Sequence, residues 1–420
     1  MMTFYTGWEY LLIDVANNSN LSLDKELFED RIKWVEDNLD SLELLAVGQQ
    51  WKERPMFIKA VSALRKSQEG KPTGHLVGFD AVCSGMQIMS ALTGCVHGAA
   101  ATGLIDPNRR ADAYSDCTKL MAKELNTNVL AGDRNKVKQA VMTSLYGSKE
   151  EPKKEFGEDT KELEAFYKAM YTLCPGACDL LDELLQSWQP YALYHEWRLP
   201  DGFLAHVKVM QKVDDCRIEV DEIDHATFTY QYYVNEGEKK GVKNAANVVH
   251  SIDAYILRSL IRRCNYNEDT LILQHQCIAW ELIFRLDNKC GHSPVLATPE
   301  TDYYAEHYQR SGIADIVILP YLDNESVQAL TTDHLKSLQT VINSMLEHDS
   351  FEIVTVHDDF KCHANYMNHL RAHYRDIMAE LADSNLIGDI LGQLHGMEGT
   401  YQKLSSNLSD QIRQSNYALS

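Results

Sequence analysis

Apolar residues recur at helical spacing along most of this chain and give way to short strand-like runs at a few places. Between Asp24 and Leu45, Phe28, Ile32, Val35, Leu39 and Leu42 follow alternating steps of four and three, the pattern of an amphipathic helix. That stripe is core or a subunit contact, and the acid-rich remainder is a solvated face. The same periodicity predicts a short helix over Pro55 to Leu64, one over Ala111 to Leu125 and a charged one over Glu150 to Tyr171. A turn at Pro175-Gly176 then leads into a helix from Asp179. Asn247 to Arg263, and most of the chain from Ala364, also read as helix. Leu76 to Phe79 is a brief strand that delivers Asp80, with a helix beginning over Met86 to Leu92. Leu199 to Phe203 is a turn, Leu204 to Tyr233 alternates as β-hairpins do, and Glu352 to Val356 is a strand feeding Asp358. With no internal repeat and no low-complexity linker, the class is α+β.

One further helix carries chemistry on its surface. Gly132-Asp133 supplies a break and an N-cap, and Gly147 a stop. Between them Arg134, Lys138, Met142 and Tyr146 fall at steps of four, which advance about 40° each beyond a full turn. They form one slightly drifting stripe beside an apolar stripe of Val137, Val141 and Leu145 that anchors the helix.

Composition narrows the setting. The 420 residues are ample for a large core, and the hydrophobic content of 45% is that of a globular protein. Met1 to Val15 has no basic start and carries Glu9 and Asp14, a poor signal peptide. No apolar run is long enough to span a bilayer. The ten scattered cysteines read as reduced thiols in a cytoplasmic setting. Cys174 and Cys178, and likewise Cys290 and His292, lack a second ligand pair for zinc, so buried or turn residues are the default.

The net charge of −21 opposes extended contact with nucleic acid unless the basic surface is local. Two basic clusters meet that condition: Arg134, Lys136, Lys138, Lys149, Lys153 and Lys154, and then Arg258, Arg262 and Arg263. Asp80 and Asp358 each follow an apolar, β-prone run. Two carboxylates for metal and one cationic helix for phosphates are the parts that nucleotidyl transfer needs.

Three segments agree in order and internal spacing with a known pattern. They are Phe79-Asp80-Ala81-Val82-Cys83-Ser84-Gly85-Met86-Gln87, Arg134 through Gly147, and Val356-His357-Asp358-Asp359-Phe360. Together they resemble motifs A, B and C of the single-subunit, bacteriophage-type DNA-directed RNA polymerases, which include the mitochondrial enzyme. The resemblance covers roughly Tyr10 to Glu268 and Glu352 onward. It implies a right-hand palm and fingers, with an antiparallel palm sheet surrounded by helices. Residues 1–96 would be the first part of the palm and 97–249 the fingers, with the motif B helix over 133–147. Residues 250–420 would be the second part of the palm, with an insertion at about 269–350.

The resemblance also implies roles. Asp80, the Ala81 backbone carbonyl and Asp358 would hold two Mg²⁺ ions for template-directed ribonucleotidyl transfer. Arg134 would take the triphosphate, and Lys138 would contact the phosphates and protonate the leaving pyrophosphate. Tyr146 would lie beneath the incoming sugar and base, with Met142, Gly147 and Tyr114 completing the nucleotide site. His250, in His250-Ser251-Ile252-Asp253, would face the primer–template end. Asp359 stands where the family commonly has serine and reads as a solvated neighbour.

A-family DNA polymerases share the Lys-to-Tyr-Gly spacing but carry a glutamate where this chain has Gly85, and usually phenylalanine or tyrosine where it has Met142. Ribonucleotides are therefore expected. An A-family-like DNA polymerase fragment and a non-catalytic polymerase-like scaffold are the alternatives, and intact Asp80, Lys138 and Asp358 argue against the scaffold. Asp80 lies too near the start for the family's N-terminal domain, thumb and template-contacting Asp/Thr-x-x-Gly-Arg element to precede it. The likeness is therefore to the larger, catalytic subunit of a split phage RNA polymerase. The expected partners are DNA template, RNA product, ribonucleoside triphosphates, a smaller second subunit with the missing parts, and room for a single-stranded-DNA-binding recruiter. No membrane is involved, and the location is the cytoplasm of an infected bacterial host. The Phe28 to Leu42 stripe or the insertion would dock the second subunit.

Overall fold

The two carboxylate-bearing runs meet in one sheet. A computed structural model describes residues 2–47, 51, 53–126, 134–237, 241–287 and 297–420. In it β1 (Leu76–Asp80) pairs antiparallel with β7 (Asp359–His363), which pairs with β6 (Val354–Val356). Alternation turns Val77 and Phe79 of β1, and Phe360 and Cys362 of β7, into the core. Beneath them lie α1 (Gly7–Asn17), opened by a capping box of Thr6 and Glu9, and α2 (Phe28–Asp37). The Phe28 ring stacks on Phe79 at 5.4 Å and on Tyr417 at 4.7 Å, tying both ends of the chain to the sheet. Burying one such phenyl ring stabilises the fold by roughly 1.5–3 kcal/mol.

Asp24 to Leu45 is not one helix. A 3-10 turn (Leu23–Lys25), α2, a second 3-10 turn (Leu39–Ser41) and α3 (Leu42–Ala46) share it. Asn38 ends α2: its side-chain amide donates to the Trp34 carbonyl at 2.8 Å, in competition with a further helical turn. Phe28, Val35 and Leu42 are buried, so the stripe is core and not a docking face.

Next come α4 (Arg54–Gln68), α5 (Ser84–Thr93), α6 (Val96–Ala101), α7 (Ala113–Glu124) and α8 (Arg134–Ser144). The expected Gly132-Asp133 cap of α8 lies outside the described residues. Gly147, at φ +85°, closes the turn after α8. The charged run from Glu150 is two helices, α9 (Glu150–Phe156) and α10 (Lys161–Leu173). Gly157, at φ +88°, parts them, and Thr160 caps the second. Pro175 is not in a turn but starts α11 (Pro175–Gln186), because proline suits a first helical turn whose N–H has no partner.

The hairpin region begins earlier than the alternation at Leu204: β2 (Tyr194–Arg198) pairs with β3 (Leu204–Lys208), and β4 (Met210–Val220) with β5 (Ala226–Gly237). Then α12 (Val242–Cys264) passes through the core. Helices α6 and α12 run across positions 96/97 and 249/250, so the chain crosses those positions in continuous helix.

Residues of the expected insertion build a second hydrophobic cluster. Its members come from α13 (Glu268–Asp287), α15 (Thr332–Met345) and the turns between, with α14 (Pro299–Ser311) against it. Leu273, Trp280 and Leu286 of α13 remain exposed. The chain ends in α16 (Met367–Asp383), α17 (Leu386–His395) and α18 (Leu408–Ile412), with residues 396–407 non-helical. The fold is α+β. Among the described residues no helix is long and apolar enough to cross a membrane.

Candidate active site

Asp80 ends β1, opposite Asp359, and Asp358 occupies the second position of the two-residue turn between β6 and β7. The residue before it, His357, has φ +56°, a left-handed conformation that holds this turn tight. The Ala81 N–H donates to the Asp358 carbonyl at 3.1 Å, so backbone hydrogen bonds fix the two aspartates side by side. The Ala81 carbonyl accepts no hydrogen bond among the described residues.

Both aspartates open into a cavity of about 430 Å³, whose opposite wall is α8 and the loop before α7. Gly85, Tyr114, Arg134, Lys138, Met142 and Tyr146 also line it. Gly147 does not; it lines a second cavity behind α8, with Leu181 and Leu185. His250 is outside as well, on α12, but its ring centroid is 4.6 Å from that of Tyr146. A Cβ built on Gly85 would come within 3.2 Å of the Tyr146 hydroxyl, so the absent side chain leaves that phenol its place.

Most charges in the cavity are matched in pairs. His75 meets Asp14 at 2.7 Å, Lys361 meets Asp359 at 2.9 Å, and Lys25 bonds Asp24. Arg134 grips Asp112 through Nε at 2.8 Å and Nη2 at 3.0 Å, while its guanidinium lies over the Tyr114 ring. Asp359, the added carboxylate, is thus tied to a lysine. Four lining charges have no ion-pair partner among the described residues: Asp80, Asp358, Lys138 and Arg110.

The electrostatics follow from this pattern. Burial, then the charges of Asp358 and Asp359, push the Asp80 carboxyl up to about 6, although Lys138 pulls the other way. Solvent reaches the Asp80 side chain through the cavity mouth, while protein surrounds it on the remaining sides. Burial and the Asp358 charge raise Asp253 to about 6 as well. Asp112 is the reverse case: burial would raise it, but hydrogen bonds from Arg134 and Ser115 outweigh that and hold it at about 2. Burial raises the Tyr146 phenol to about 12, with Asp253 adding to it, and burial lowers the His250 imidazole. Two carboxylates without cations, in a cavity that penalises their joint ionisation, are a donor set suited to divalent metal.

Residues 4–172 match the family model of DNA-dependent RNA polymerase. The likeness to that family is confined to this segment. The mitochondrial DNA-directed RNA polymerase 1 of Nicotiana sylvestris is 31% identical over 172 residues, covering 34% of this chain and 17% of that protein. The DNA-directed RNA polymerase of Pseudomonas phage phiKMV is 28% identical over 174 residues, 34% of this chain and 21% of the relative. The mitochondrial enzyme of Neurospora crassa is 29% identical over 166 residues, 34% and 12%. The chain thus spans about a fifth or less of the length of these curated relatives. The polymerase-like segment contains Asp80, Arg134, Lys138 and Tyr146; Asp358 and His250 lie beyond it, and the fold returns Asp358 to the cavity and sets His250 against Tyr146 at its edge.

Sequence reasoning passed over Arg110 and Asp112 and gave Asp253 no task. The signal for Asp112 was legible: an aspartate two residues before Tyr114 at the head of a predicted helix is an N-cap, and Asp112 accepts from the Tyr114 and Ser115 N–H groups. Three exposed groups at the tip of the β4–β5 hairpin, Glu219, Asp221 and His225, cluster at metal-ligating distances, but none lines the cavity. Cys174 and Cys178 gather no third ligand among the described residues, and Cys290 and His292 lie outside them.

Proposed function

We propose that this chain carries the catalytic centre of a DNA-directed RNA polymerase of phage and mitochondrial type, in a palm-and-fingers arrangement. The observation that carries the reading is the charge pattern of the cavity: Asp80 and Asp358 are left without cations, and Lys138 without a carboxylate.

Asp80, Asp358 and the Ala81 carbonyl would hold Mg²⁺. When bound, two such ions lower the pKa of the attacking 3′-hydroxyl and offset charge on the triphosphate. Lys138 holds a proton at Nζ, 5.5 Å from the Tyr114 ring centre, where it can meet the phosphates and protonate the pyrophosphate that leaves. Arg134, anchored on Asp112, ties the start of α8 to the start of α7 and lends its charge to the triphosphate from the same wall. Tyr146, set over Gly85 and against His250, positions the sugar of the incoming nucleotide, and its phenol stays protonated at neutral pH as a donor for the 2′-hydroxyl. A glutamate at position 85 would occupy that space, so ribonucleotides are the substrate. A smaller second subunit supplies the thumb and the template-contacting arginine element, and the assembly works in the cytoplasm of an infected bacterium.

The test is RNA-primer extension on single- and double-stranded DNA with Mg²⁺, with and without co-purifying chains. Template-dependent ribonucleotide addition is expected, weak for the chain alone and restored by the second subunit. A preference for deoxynucleotides would move the assignment to a DNA polymerase, and no incorporation under any condition would leave a scaffold.

A further inference from the structure

Among the described residues, Arg110 is the one unmatched cation in the cavity to which no role falls. It sits in the loop before α7, and its Nη1 donates to the neighbouring Ala111 carbonyl. Its Nε is buried and has no partner, and Nη2 donates to nothing among the described residues. That edge, Nε with Nη2, is the one with which Arg134 grips the Asp112 carboxylate.

Nearby Arg31 shows what a purely structural arginine looks like here. It is fully buried, and its guanidinium donates to the Asn17 side chain at 2.8 Å and to the Asp24 and Glu26 carbonyls at 3.0 Å each. A guanidinium held in a cleft without such partners forfeits hydration and regains little, unless a ligand completes it. Two coplanar N–H groups match a pair of phosphate oxygens.

We propose that Arg110 is a further phosphate-binding residue of this cavity, which with Lys138 holds the triphosphate of the incoming nucleotide and the pyrophosphate that leaves. The inference rests on the polymerase reading for the identity of the ligand, but not for its phosphate chemistry.

Arg110→Gln and Arg110→Lys test it in the full chain, with any chain that co-purifies. Titration with Mg²⁺-pyrophosphate, nucleotide KM in primer extension and template-DNA affinity are read together. Arg110→Gln weakens pyrophosphate binding and raises nucleotide KM by about ten-fold or more, with DNA affinity unchanged. Arg110→Lys, which keeps the charge but loses the two-donor edge, falls between. It decides the matter if the glutamine variant does not fold.

Wild-type pyrophosphate affinity in either folded variant overturns the proposal. So does a loss confined to DNA affinity, which would place the arginine on the template backbone. If the wild-type chain binds pyrophosphate through Arg110 but extends no primer, the phosphate site stands and the polymerase reading falls. If it extends RNA and the variants match it, the reverse holds.

Discussion

Two regions of this molecule use the same residue types to opposite ends. At the C-terminal half of α12, the buried Asp201 carboxylate accepts from Arg258 at 2.6 and 3.1 Å. Arg262 reaches both Asp201 and Asp315, and Arg263 is clamped by Glu380 at 2.6 and 2.8 Å. Every charge there has a partner, and the cluster brackets the β2–β3 turn and α16 against α12. In the cavity the pairing stops short, leaving Asp80, Asp358, Lys138 and Arg110. Pairing, and not residue type, separates a charge that holds the fold from one that awaits a ligand. It also corrects a sequence expectation, because Arg258, Arg262 and Arg263 are internal struts and not basic surface.

The contrast breaks first at the carboxylates. Asp80→Asn and Asp358→Asn are expected to cut Mg²⁺-dependent nucleotide addition by at least about 10³-fold. Their melting temperatures should match or exceed that of the unsubstituted chain, since each removes an unmatched charge. Primer-extension rates beside thermal melts measure both, and near-normal extension by either variant would remove the metal role.

Asp201→Asn is the mirror experiment. It leaves Arg258 and Arg262 without their shared carboxylate and should destabilise the fold by about 3 kcal/mol in denaturant melts. Activity per folded molecule should change little. A variant as stable as wild type would erase the distinction between the two regions.

The smallest effect is one of pH, and its sign is informative. Asp80 and Asp253 both titrate near 6 in the folded chain, above the ordinary aspartate value. The folded state therefore binds more protons than the unfolded one between roughly pH 6 and 4, and metal-free stability from these two groups rises as pH falls through that window. Above pH 6 both are ionised and their cost is fully present. Activity runs the other way, falling as pH drops through about 6, because protonated Asp80 cannot ligate metal. In chelator, Asp80→Asn should gain a few degrees over wild type at pH 7.5 and less at pH 5. An equal gain at both values would show that Asp80 is not raised.

Much of the site could be read from spacing because its parts are local. A strand end followed by an aspartate, and a stripe at steps of four on one helix, need only short-range geometry. The errors fall where a competing local rule decided the outcome. Asn38 reached back to Trp34 and cut a helix in two, Gly157 took a left-handed turn inside a charged run, and Pro175 opened a helix where a turn was expected.

By itself the sequence picked out Asp80, Asp358, Lys138 and Tyr146 as a candidate set and the likeness of the segment to one family, because motif order and spacing are one-dimensional quantities. Tertiary structure alone decided which of the chain's many charges stay unmatched. That outcome depends on contacts between residues far apart in the chain, such as Asp14 with His75 and Arg134 with Asp112. An arginine on a list of motifs looks the same whether a carboxylate meets it or not. Only the folded chain sets Arg263 in the grip of Glu380 and leaves the open edge of Arg110 in a cavity beside Asp80.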